Sequence, residues 1–198
     1  MSVLKARATS MPARAAKGFT LVELIIGITV FSIIMMVIIG LIGPQSRLSV
    51  EPIWQVRASE LAQSLMSEIN ARAFDDSLAN SNSGKRCNES ASCTPSGSLG
   101  PDPGEDRVRF DDIDDYHGLN ESGATILSAQ GLPVLYNGES LYTGFSVAVQ
   151  VYYDDNEDGV NDDAGGSGTV IGNVKRIVIT VTTPGGEAIT FSSYRWNV

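Results

Sequence analysis

The sequence predicts an α+β protein: a long apolar N-terminal helix, an amphipathic helical continuation, and an antiparallel β-sheet head against which that continuation packs. Three observations carry this. Residues 19–43 are mostly apolar and hold one charge, Glu23. Trp54, Ala58, Leu61, Leu65 and Ile69 recur at the helical period and form one apolar stripe. Phe145, Val147, Val149, Val151 and Tyr153 alternate at the two-residue period of a half-buried strand, and two further strand-like runs come after it.

Four regions are expected along the chain: a basic leader at 1–18, an apolar helix at 19–43, a stem helix at 44–74 and a β-rich head at 75–198. The leader holds Lys5, Arg7, Arg14 and Lys17 and no acid. The whole chain has 14 basic and 23 acidic residues, so the chain beyond the leader is strongly acidic. An acidic body lacks the basic patch that neutralises phosphates, and nucleic acid is not an expected partner.

As a helix, residues 19–43 would extend about 37 Å, enough to cross a bilayer core of about 30 Å. An ordinary secretory signal has a shorter apolar run and a small-residue cleavage site after it. Here Pro44, Gln45, Ser46 and Arg47 close the span instead. The basic leader stays cytoplasmic by the positive-inside rule. The body then faces the opposite side, in a bacterium the oxidising periplasm. Glu23 within an apolar segment costs up to about 2.5–3.5 kcal/mol at mid-bilayer. It is either a functional group or, near the start of the stretch, one that reaches interfacial water.

Pro52 suits the first turn of the stem helix. Gly40, Gly43, Pro44 and Pro52 predict a bend or partial melting between 40 and 52. Residues 75–106 are rich in Ser, Asn, Gly, Pro and Asp and read as a long exposed connection. They carry the only cysteines, Cys87 and Cys93. No second cysteine pair or histidine cluster accompanies them, which argues against a closed zinc site; the reading is a short-loop disulfide, with two free thiols as the alternative. A short strand is expected over Val108–Ile113. Lys175–Thr182 and Ala188–Trp196, joined across Gly185-Gly186, read as a hairpin.

The loop Asp154-Asp155-Asn156-Glu157-Asp158-Gly159-Val160-Asn161-Asp162 places oxygen ligands at Asp154, Asn156, Asp158, the Val160 carbonyl and Asp162, with a turn-permitting glycine sixth. A hard cation wants six to eight oxygens, and this spacing points to calcium. Gly165 stands where a bidentate glutamate would complete the motif, so the alternative is an acidic loop of Asx turns. Asp163 is a candidate to extend the shell. A second run, Asp111, Asp112, Asp114 and Asp115 beside His117, reads as a solvated turn rather than a metal site. No Ser-His-Asp, Cys-His or phosphate-loop arrangement is present in the sequence, and an enzyme is not expected.

Lys17-Gly18-Phe19-Thr20-Leu21-Val22-Glu23 resembles the processing site of type IV prepilins and type II secretion pseudopilins. The resemblance implies the pilin fold. It also implies cleavage by prepilin peptidase between Gly18 and Phe19, N-methylation of Phe19, and pairing of Glu23 with a neighbouring subunit's terminal amine. Implied partners are other pilin subunits, that peptidase and an inner-membrane assembly platform. The implied residence is the inner membrane before assembly and a pilus at the cell surface after it. Pro52–Leu65, Phe74–Asp76 and Phe110–Leu119 further resemble MshD-like minor pilins of mannose-sensitive haemagglutinin pili. That likeness implies a low-abundance subunit in or at the tip of an adhesion pilus. A secretion pseudopilin and a tip adhesin are the alternatives.

Overall fold

The computed structural model describes residues 18–48, 51–76, 86–89 and 92–198. The leader 1–17 therefore lies outside the described residues. The chain divides into two units, Met1–Leu48 and Ser49–Val198. The elements take the α+β order expected: two helices, then an antiparallel sheet.

Helix α1 spans Leu21–Leu48. Every side chain from residue 21 to 40 is exposed. Two hydroxyls within its exposed 21–40 stretch are satisfied inside the helix: Thr29 Oγ1 donates to the Ile25 and Ile26 carbonyls at 3.0 and 2.9 Å, and Ser32 Oγ to Ile28 at 2.8 Å. A hydrocarbon environment demands such internal pairing. Of the bend or partial melting expected between 40 and 52, melting does not occur as far as Leu48, because α1 is helical through Gly40, Gly43 and Pro44. A proline removes one amide donor and distorts a turn; the remaining ladder carries the helix past it. Residues 49–50 lie outside the described residues.

The second unit begins with α2, Glu51–Asn70. Ala58, Leu61, Leu65 and Ile69 are buried and Trp54 half-buried, as the stripe predicts. A four-stranded antiparallel sheet follows in spatial order β1 (Asn120–Ser122), β4 (Ser146–Tyr153), β5 (Val174–Thr182) and β6 (Ala188–Trp196). A two-stranded ribbon pairs β2 (Leu135–Tyr136) with β3 (Glu139–Ser140). Helix α2 packs on β5 and β6. Val147, Val149 and Val151 of β4 and Ile177, Ile179 and Val181 of β5 face the helix stripe in one core. Each such side chain stabilises the fold by about 1.5–3 kcal/mol through burial.

The β5–β6 hairpin forms with Val174 opposite Trp196 and Thr182 opposite Ala188. At its turn, a Cβ on Gly185 would stand 2.9 Å from the Trp54 ring, so this glycine lets α2 close over the turn.

The strand expected over Val108–Ile113 does not form; the segment contributes one isolated bridge, Ala73 to Asp112. Its alternation is broken by aspartates that bond backbone amides locally instead of offering a ladder. The connection expected to be exposed is also corrected in part. Cys87 and Cys93 form a disulfide with Cα atoms 4.9 Å apart. Both sulfurs lie in a second apolar cluster with Phe74 and Tyr153. Residues 77–85 and 90–91 lie outside the described residues.

Candidate functional site

The first candidate region is the start of α1. Gly18, Phe19 and Thr20 precede the helix in irregular backbone, and Phe19 is 84% exposed. Thr20 Oγ1 accepts the Glu23 amide at 3.3 Å, which caps the helix start. Thr20-x-x-Glu23 is thus a capping pattern as well as part of a processing motif, a double role that the sequence alone did not suggest. Glu23 stands in the first turn, where the positive end of the helix dipole favours a carboxylate. The bond between Gly18 and Phe19 is therefore presented in accessible, non-helical backbone immediately before a capped helix. Among the described residues, one helix is long and apolar enough to cross a membrane, over Leu21–Gly40.

The second region is the loop after β4. Asp154 is fully buried, and its carboxylate organises the turn. Oδ1 accepts the Asp158 amide at 3.0 Å; Oδ2 accepts the Gly159 amide at 2.9 Å and the Tyr194 hydroxyl at 2.9 Å. Asn156 Oδ1 and Asp158 Oδ1 accept the amides two residues ahead of each, and Asp162 Oδ2 accepts the Asp155 amide at 2.8 Å. A Cβ on Gly159 would meet Arg176 Nη1 at 2.2 Å, so a guanidinium packs against the loop where its glycine leaves room. Asp163 is committed elsewhere: Ser96, Ser167 and Gly168 bond its carboxylate. Those hydrogen bonds, from Ser167 and then Ser96, hold its pKa down to about 2. The carboxylates of Asp154, Asp158 and Asp162 do not draw within 4.8 Å of one another as a trio. As arranged, the loop is closed by Asx-type hydrogen bonds from its own amides.

The second acidic run is where the reading needs its largest correction. Asp112, Asp114, Asp115 and Tyr116 are buried, not solvated. Asp112 Oδ1 accepts the Asp114 and Asp115 amides at 2.8 and 3.2 Å, and Asp115 Oδ2 accepts those of Asp111 and Asp112 at 2.9 and 3.2 Å. Lys175 enters from β5 and meets Asp114 at 2.7 Å. His117 Nδ1 accepts the Val151 amide at 3.1 Å, which ties the run to β4. Lys175 shares the inward parity of Ile177, Ile179 and Val181. A cation at a core position of a strand was the available signal that buried anions awaited it.

A second buried charge centre lies nearby. Arg107 grips Glu68 with both terminal nitrogens, and the Tyr116 hydroxyl donates to Glu68 Oε1 at 2.7 Å. Burial alone would raise the Glu68 pKa; the bonds from Arg107 and Tyr116 outweigh it and hold it low. Tyr116 is pushed up to about 12, by burial and by Glu68.

Other acids of the head shift the opposite way. Burial, then hydrogen bonds with Asp102 and Asp111, raise Asp76 to about 7. Burial first raises Glu105, Asp115 and Glu121 as well. Raised folded-state pKa values mean that the native state holds extra protons between the ordinary carboxylate range and neutrality, so stability falls as pH rises there. Glu68 acts oppositely, but its contribution is lost only as pH falls through its lowered pKa. The head is therefore expected to unfold at higher urea at pH 5.5 than at pH 8, which urea titrations at the two values check.

Residues 13–39 match the family model of the prokaryotic N-terminal methylation motif. No curated protein and no solved structure matches the chain. The matched segment takes in Gly18, Phe19 and Glu23 and stops short of the head. It supports a type IV pilin-like family, and the apolar α1 is consistent with membrane anchoring. The motif indicates a precursor of the type IV pilin or pseudopilin type, a class of structural subunits and not of enzymes.

Proposed function

We propose that this chain is a minor type IV pilin, cut between Gly18 and Phe19, methylated at Phe19 and assembled with other pilins into an adhesion pilus. The observation that carries this reading is the methylation motif set on an exposed, capped apolar helix. The leader would remain cytoplasmic, the head periplasmic, and the whole subunit would leave the membrane on assembly. An apolar helix withdrawn from lipid must bury both its terminal ammonium and Glu23, and pairing them across subunits satisfies each charge.

The finer reading, a subunit of the mannose-sensitive haemagglutinin type, rests on the sequence resemblance of three segments. Two of them are brought together by Lys175, which bonds the Phe74 carbonyl and Asp114. That supports treating the resembling patches as one structural unit and not as scattered likeness. A type II secretion pseudopilin shares the N-terminal motif and is the competing assembly.

The test is the intact mass of the chain from cells with and without prepilin peptidase. A chain beginning at methylated Phe19 only when the peptidase is present is the expected result. An uncut chain in both strains overturns the filament reading.

Calcium at Asp154–Asp162 is proposed on ligand spacing alone. Binding would require Asp158 and Asp162 to turn inward from their hydrogen bonds to the turn's amides. Calcium is expected to raise the melting temperature of the chain, and Asp158→Ala to remove that rise. Melting indifferent to both calcium and chelator assigns the loop to hydrogen bonding.

A further inference from the structure

The Lys175 side chain is fully buried, with no exposure at all. Its Nζ lies 2.7 Å from Asp114 Oδ1, 2.6 Å from the Phe74 carbonyl oxygen and 3.6 Å from Asp75 Oδ2. The Phe74 ring centroid is 4.5 Å away and that of Tyr153 5.7 Å, so aromatic faces wall the contact. Asp112, itself buried, is hydrogen-bonded to the Asp114 carboxyl. Two adjoining buried carboxyls cannot both ionise, and one keeps a proton. Burial first, then the bond to and charge of Asp114, raise Asp112 to about 10, so it is the acid of the pair.

An amine in contact with a carboxyl, a second carboxylic acid hydrogen-bonded to that carboxyl, and an apolar wall are the components of amide formation. We propose that Lys175 Nζ and Asp114 Cγ are joined by an intramolecular isopeptide bond, with Asp112 as the catalytic acid–base.

The step balances within these three side chains. Along their 2.7 Å contact the Lys175 ammonium first hands a proton to the Asp114 carboxylate, leaving a neutral amine and a carboxylic acid. Asp112 gives its proton to the Asp114 carbonyl oxygen as the Nζ lone pair forms the N–Cγ bond. The Asp112 carboxylate then takes the surplus proton from Nζ and delivers it to one of the two hydroxyls. That C–O bond breaks, water leaves, and the remaining hydroxyl returns its proton to Asp112 as the carbonyl reforms. One C–N bond is made and one C–O bond broken, nothing is oxidised or reduced, and Asp112 ends protonated as it began. Fixed contact replaces a bimolecular encounter, which in oriented systems is worth effective concentrations of about 10⁵ M or more. The product also removes a buried ion pair, whose desolvation opposes its Coulomb attraction.

The bond would tie β5 to the 110–117 segment across a sequence separation of 61 residues. The test is intact mass of the full chain, denatured and with its disulfide reduced, followed by tandem sequencing of its tryptic peptides. The expected chain is lighter by one water than its sequence requires, whichever N-terminus it carries. A branched peptide should join Asp114 to Lys175, with no cleavage after Lys175. Asp112→Asn should keep the full unlinked mass while still melting cooperatively. Asp114→Asn, if it links, loses ammonia and arrives at the wild-type linked mass. Wild type at full mass overturns the proposal, as does a water loss mapped to a succinimide at Asp158-Gly159. Linkage persisting in Asp112→Asn overturns the role given to Asp112.

Discussion

Arg107→Met is expected to destabilise the head by about 3–5 kcal/mol at neutral pH, the range for removing one partner of a buried ion pair. The guanidinium holds Glu68 and stands 3.6 Å from Glu121, with all three side chains largely buried. It also packs over the rings of Tyr116 and Phe110, at 4.9 and 5.7 Å. Methionine fills the aliphatic volume but takes the paired guanidinium away from Glu68 and Glu121. Against burial, Glu68 then keeps only the Tyr116 bond and the charge of Arg72, so its pKa rises and it takes up a proton more readily. The deficit should therefore shrink as pH falls from 8 towards 5, because protonation neutralises the stranded charge. Urea unfolding at both pH values measures this. For a unit of this size each kcal/mol moves Tm by about 2–4 °C, so a fall of roughly 6 °C or more is expected. Arg109→Met is the control: its pair with Asp106 is exposed on both sides and worth less than about 1 kcal/mol. Equal small losses from both variants would remove the Arg107 centre from the account of stability.

Glu23→Ala is expected to leave the chain in the membrane yet keep it out of filaments. The two outcomes separate because the substitution acts oppositely on them. Deleting a charge from an apolar span eases insertion by up to about 2.5–3.5 kcal/mol. In a filament core, the partner's ammonium would lose its counter-charge, at about 3–5 kcal/mol. Incorporation should therefore fall a hundredfold or more in sheared-filament preparations, with membrane levels unchanged. Glu23→Gln should stay equally defective, since an amide keeps size and polarity but not charge. Wild-type incorporation of Glu23→Ala would end the charge-pairing account.

Local periodicity carried most of the fold. The stripe from Trp54 to Ile69, the alternation in β4 and the Gly185-Gly186 hairpin each declare themselves within one continuous stretch of chain, and all are present. The processing motif is equally local. The contacts that escaped are non-local: Glu68 meets Arg107 across 39 positions and Asp114 meets Lys175 across 61. A run of aspartates read by itself is solvated, and only the lysine arriving from β5 makes burial tolerable. The Asp154 loop is ambiguous in a different way. Its spacing is that of a cation loop, yet the same oxygens are equally apt acceptors for the amides of a tight turn.

The two margins of the sheet differ in a way that bears on a chain meant to polymerise. β1 closes one margin with only three residues, and β6 forms the other with nine. A long free strand margin invites another chain to add to it. Along β6, however, the outer run reads Thr190, Phe191, Ser192, Ser193, Tyr194 and Arg195, with serines and a cation breaking the apolar sequence. Such a margin is a poor template for stacking. If the chain assembles as proposed, that margin would steer self-association away from the β-sheet and towards the apolar helix, and heads held at high concentration would resist clumping.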